Sequence, residues 1–145
     1  MYKKILIPTD GSELSEMAAA HAVDLAKLTG AKIVVLTATA SWGAIAIGEI
    51  AVALPQEEYE TRAAANAASF LKAVTDKADE AGVAYETVHS HAVNPYEAIV
   101  AAATERGCDL IVMGSHGRRG IEGFLLGSET VDVLTHSKVP VLVYR

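Results

Sequence analysis

Glycines at fixed spacing, backed by a small hydroxyl residue, are the part of this sequence best suited to chemistry. Gly114-Ser-His-Gly117 is followed by nine residues and then by Gly127-Ser128-Glu129-Thr130. The chemistry they suit is retention of an anion. Glycine has no side chain, so backbone amides approach a phosphate oxygen closely. The first amides of a helix lack intrahelical partners and present about half a positive charge. An apolar run, Leu110-Ile-Val-Met113, precedes the glycines, and a helical pattern follows Gly127. The loop therefore joins a strand end to a helix start. It is not a Walker loop, because the sequence holds no Gly-Lys pair, and it does not fit the dinucleotide fingerprint G-x-G-x-x-G.

Roles can be divided among these residues. Gly117, Gly127, Ser128 and the backbone of Glu129 are expected to hold phosphates, with the Ser128 hydroxyl as a further donor. Arg118 and Arg119 either add charge or face solvent. The Glu129 carboxylate suits a helix start in the empty protein but would repel a triphosphate if turned inward. His116 either meets a phosphate or orders the loop. Elsewhere, Asp10 follows an apolar run and accepts hydrogen bonds from a ligand hydroxyl or amine or a metal-bound water, or else caps the next helix. A Mg²⁺ or Mn²⁺ ion bridging phosphate oxygens and a carboxylate fits this set. His89 and His91 fall on one strand face and could share a metal, with no third ligand evident.

The totals bound the options. One domain, residues 1–145, is expected from 145 residues. No 18-residue apolar run occurs, so no membrane span is expected, and no signal-peptide pattern opens the chain, which points to the cytoplasm. A net charge of −6 disfavours nucleic-acid binding. Cys108 is the single cysteine and reads as an inert packed thiol. No nucleophile-and-base pair stands out, so an efficient enzyme is not expected. Slow phosphoryl transfer, as hydrolysis or as self-phosphorylation on Ser115 or Ser128, stays open.

Strands and helices alternate along the chain. Lys4-Ile-Leu-Ile-Pro8 reads as a buried strand, and Asp10 or Ser12 caps a helix that Gly30 ends. A second strand spans 31–38. Residues 39–56 are apolar but broken by glycines: a loop folded back on the domain or a partner, or else a cover over the ligand. An alanine-rich helix spans 57–81, and an alternating edge strand 83–89. Asn94 caps a helix that opens with Pro95-Tyr96-Glu97 and reaches about Arg106. Residues 110–113 form the fourth strand, Ser128 caps a helix to about Thr135, and residues 139–144 form the fifth. Right-handed crossovers turn this alternation into a parallel sheet covered on both faces.

The spacing G-x2-G-x9-G-[ST] resembles the signature of the ATP-binding branch of the universal stress protein family. Met1-Tyr-Lys-Lys-Ile-Leu-Ile-Pro-Thr-Asp10, Asp109-Leu-Ile-Val-Met-Gly-Ser-His-Gly117 and Val139-Pro-Val-Leu-Val143 agree with it over nearly the whole chain. The resemblance implies an open five-stranded α/β fold of strand order 3-2-1-4-5, adenine nucleotide α-hydrolase-like. In that order the ends of strands 1 and 4 share one switch-point crevice. It implies that Pro8, Thr9, Asp10, Ala38, Met113 and Gly114 contact the adenosine half of ATP. It also implies a homodimer built through the last strand, Val139-Pro-Val-Leu-Val-Tyr144, and a nucleotide-responsive role in the stress response, with a purely partner-binding module as the alternative. Two departures stand out: Glu129 replaces the family's usual valine or threonine, and Ala92-Val93-Asn94-Pro95 lacks a common glycine.

Overall fold

The structure, a computed structural model, describes residues 1–43, 54–117 and 126–145. Most of the apolar 39–56 stretch, and both loop arginines, Arg118 and Arg119, lie outside the described residues.

The chain runs β1 (Lys4–Pro8), α1 (Glu13–Thr29), β2 (Lys32–Ala40), α2 (Gln56–Ala81), β3 (Tyr85–Ala92), α3 (Pro95–Glu105), β4 (Leu110–Gly114), α4 (Ser128–His136) and β5 (Val141–Tyr144). The five strands form one sheet in the order β3-β2-β1-β4-β5, every neighbouring pair parallel. The expected order is therefore found, and β3 is an edge strand as its alternation predicts.

Period-two alternation explains why the central strands are apolar throughout. Ile5, Ile7, Ile33, Val35, Leu110 and Val112 point to one face, where Ala19, Ala22 and Ala26 of α1 and Val74 and Ala78 of α2 cover them. Leu6, Val34, Leu36, Ile111 and Met113 point to the other, under Ile99, Ala102 and Ala103 of α3 and Val133 of α4. Small alanines let the helices lie close to the sheet. Cys108 packs in this second core, and burial pushes its thiol up to about 11, as an inert cysteine requires.

The structure settles the expected boundaries and shifts some of them. Ser12, not Asp10, caps α1: its hydroxyl accepts from Ser15 N at 3.3 Å, while Asp10 Oδ1 accepts from Ser12 N at 3.0 Å. Gly30 ends the helix in the left-handed region, φ 74°. β3 starts two residues later than its alternation suggests and runs on to Ala92, because β2 extends to Ala40 and pairs with it. β5 starts at Val141, since Pro140 has no N–H to give. The cap of α4 is Gly127, so Ser128 is the first helical residue, not the cap.

Candidate functional site

The winding reverses between β1 and β4, so the loops beyond their carboxyl ends leave a crevice there. It has two adjoining compartments. The inner one, ≈ 150 Å³, has apolar walls from Pro8, Leu36, Ala38, Ile99 and Met113. The outer one, ≈ 490 Å³, is bordered by Asn94, Gly127 and Ser128. Asp10, Pro95, His116, Gly117, Glu129 and Thr130 border both. Thr9 and Gly114 line the inner compartment. Every described residue expected at the site thus lies on this crevice, and Arg118 falls outside the described residues.

Local contacts show how these residues are held. Thr9 N donates to Leu36 O at 2.8 Å, Thr37 Oγ1 donates to Thr9 O at 3.0 Å, and the Thr9 and Ser15 hydroxyls meet at 3.2 Å. Thr9 therefore fixes the turn after β1 and leaves Asp10 projecting beyond it. A Cβ on Gly117 would run into Asp10 Oδ2, so any side chain there would displace the Asp10 carboxylate from its present place. A Cβ on Gly127 would stand 3.2 Å from His116 Cα and 3.3 Å from Ser115 O, both backbone atoms. The first glycine makes room for a side chain; the second lets two stretches of main chain approach.

Thr130 was not among the expected site residues. Its buried hydroxyl shares its one proton between Gly114 O at 3.0 Å and Ser115 O at 3.1 Å, lashing α4 to the glycine loop. Gly127 N donates to Ser115 O at 2.7 Å, and Ser115 N to Tyr144 O at 2.8 Å. The signal that could have revealed Thr130 is a hydroxyl residue in the first turn of a helix that follows a tight loop. Ser115 itself is buried, whereas Ser128 is exposed, so of the two serines only Ser128 is accessible for modification.

Glu129 has an unexpected partner. Its Oε2 accepts from Tyr96 N at 2.8 Å, which caps α3 from another helix. Asn94, the expected cap, makes no side-chain cap bond; its Nδ2 donates to Glu97 Oε1 at 3.0 Å. Burial raises the Glu129 carboxyl above the ordinary glutamate range, the Tyr96 amide pulls it partly back, and Asp132 and Glu97 raise it further. Tyr96 also stacks on His136, ring centroids 4.9 Å apart, so α3 and α4 are joined at both ends of one residue.

The His89 and His91 rings lie 4.7 Å apart, and His89 Nε2 meets Thr39 Oγ1 at 2.7 Å. Among the described residues no group of three His, Cys, Asp or Glu side chains could hold a metal. Burial, then the neighbouring His91, holds His89 below the usual histidine range. No helix among the described residues is long and apolar enough to cross a membrane.

Comparison with known proteins gives the same class of molecule. The Universal stress protein family model matches residues 1–145, and the chain belongs to that family. It is 37% identical to universal stress protein MJ0531 of Methanocaldococcus jannaschii, over 100% of this chain and 83% of that protein. It is 30% identical to MJ0577 of the same organism, over 100% of this chain and 96% of that one. The solved structure of MJ0577 superposes with a TM-score of 0.84, covering 99% of this chain and 96% of the other. A universal stress protein solved in complex with cAMP is 29% identical, with a TM-score of 0.71, covering 99% and 97%.

Proposed function

We propose that this chain is a cytoplasmic, single-domain regulator in the stress response that binds an adenine nucleotide, ATP in the leading case, in the crevice between β1 and β4. The observation that carries the reading is the contact between Asp10 and Gly117, where two loops far apart in sequence meet at the sheet's switch point. A planar base suits the apolar inner compartment beside Pro8, Ala38 and Met113. Asp10 then accepts from the ribose or from a metal-bound water. Phosphates extend into the outer compartment toward Gly117, Gly127 and Ser128, where α4 begins without a side-chain cap. Mg²⁺ or Mn²⁺ would bridge the phosphates and Asp10. A relative of the same family solved with cAMP supports an adenine nucleotide as the ligand class.

The proposed assembly is a homodimer through β5. That strand is a sheet edge, its four residues are half-buried, and Val131 and Leu134 of the adjacent α4 are 44% and 42% exposed. An apolar edge of this kind pairs readily with a second copy.

The test is nucleotide carry-over, identified by chromatography after denaturation, with ATP calorimetry on wild type and Gly117→Ala. The added methyl displaces the Asp10 carboxylate without touching main chain, so affinity should fall more than about tenfold in a folded protein, the loss of a hydrogen bond to a charged group. Unchanged affinity would show that the nucleotide does not use this junction.

A further inference from the structure

Two helix starts face the outer compartment: Asn94 and Pro95 of α3, and Gly127 and Ser128 of α4. They are not equivalent. The Tyr96 amide is already taken by the Glu129 carboxylate at 2.8 Å, so that start of α3 is neutralised from within. The α4 start has no side-chain cap. An incoming phosphate therefore finds one helix start, with a tethered carboxylate beside it. Glu129 cannot swing to solvent without uncapping α3. Asp10 borders the same crevice from the end of β1, so Glu129 is the carboxylate that stands beside the α4 start. Repulsion grows with the charge on the phosphate chain, and a divalent cation offsets it.

Resting on the nucleotide reading of the crevice, we infer that Glu129 makes this site discriminate by phosphate charge. A nucleoside triphosphate enters as its divalent-metal complex, whereas a monophosphate enters with or without metal. Glu129 is thus a specificity-determining residue, acting by its charge and fixed by its bond to Tyr96.

Calorimetry with ATP and AMP, each in EDTA and in Mg²⁺, tests this on wild type and Glu129→Gln. Glutamine keeps a carbonyl oxygen for Tyr96 N and removes only the charge. In wild type, metal-free ATP should bind at least about tenfold more weakly than Mg-ATP, while AMP should be indifferent to metal. In Glu129→Gln, metal-free ATP should gain about tenfold and AMP less than about twofold. Metal-free ATP equal to Mg-ATP in wild type, or an equal gain for both nucleotides in the variant, would overturn the inference while leaving the crevice a nucleotide site. Binding of neither nucleotide to either protein, in either buffer, would remove the nucleotide reading itself and this inference with it.

Discussion

The two ends of the sheet use carboxylates in opposite ways. At the amino ends of the strands, Asp109 accepts from Lys3 N at 2.9 Å and Lys4 N at 3.0 Å, and Glu86 pairs with Lys4 at 2.6 Å and Arg106 at 2.8 Å. Burial would push Asp109 up, but the Lys3 and Lys4 amides outweigh it and hold it below the usual range; Lys4, first, and Arg106 lower Glu86. At the carboxyl ends, burial raises Glu129, and α4 starts uncapped. One end is electrostatically complete. The other keeps charge under unfavourable conditions, as sites built for a ligand tend to do.

Thr130→Val strikes hardest at the open end. It deletes the bifurcated hydrogen bond of a buried hydroxyl and takes that donor from two main-chain carbonyls, so stability should fall by about 2 kcal/mol in urea unfolding, and nucleotide affinity should fall with it. Asp109→Ala, at the closed end, should cost about 1–2 kcal/mol yet leave nucleotide affinity unchanged. A loss of affinity there would break the separation of the two ends. Glu86→Gln, at a half-exposed ion-pair cluster, should cost about 0.5 kcal/mol and less in high salt.

Acid titration sharpens the contrast. Asp109 and Glu86 have lowered folded values, so their stabilisation is complete above the unfolded carboxylate range and is lost as pH falls through the folded values. Glu129 has a raised value, so its ionised form costs stability at neutral pH, and that cost is relieved as pH falls through the raised value. Glu129→Gln should therefore be the more stable protein at neutral pH, with the gap to wild type closing on acidification before the Asp109→Ala gap does. Thermal unfolding across pH checks both signs.

Much of this was legible in the sequence. Ile5-Leu6-Ile7, Ile33-Val-Val-Leu36 and Leu110-Ile-Val-Met113 are apolar on both faces, which only covered parallel strands explain. The glycine spacing and Asp10 led to one crevice because each follows a strand, and the family resemblance implied that those two strands are neighbours. What was hidden depends on packing between distant segments. Sequence logic assigned the α3 cap to Asn94, the nearest side chain, and could not see Glu129, 33 residues on, reaching across from α4. Ser128 was read as the cap because serine favours that position, but Gly127 takes it, where any side chain would meet His116. Thr130 was passed over because its partners are main-chain carbonyls, which leave no trace in residue types.

Ser115 binds main chain on both sides: its carbonyl accepts from Gly127, and its amide donates to Tyr144 of the outermost strand. A single residue therefore belongs at once to the loop that would hold phosphate and to the strand that would meet a second subunit. Whatever a ligand does to the position of Ser115 is felt along that edge. Linkage then makes the traffic reciprocal: if pairing of two chains tightens the crevice by some factor, occupancy of the crevice tightens the pairing by the same factor. Sedimentation with and without nucleotide, set beside affinities measured above and below the dissociation constant of the proposed dimer, would give that one factor twice.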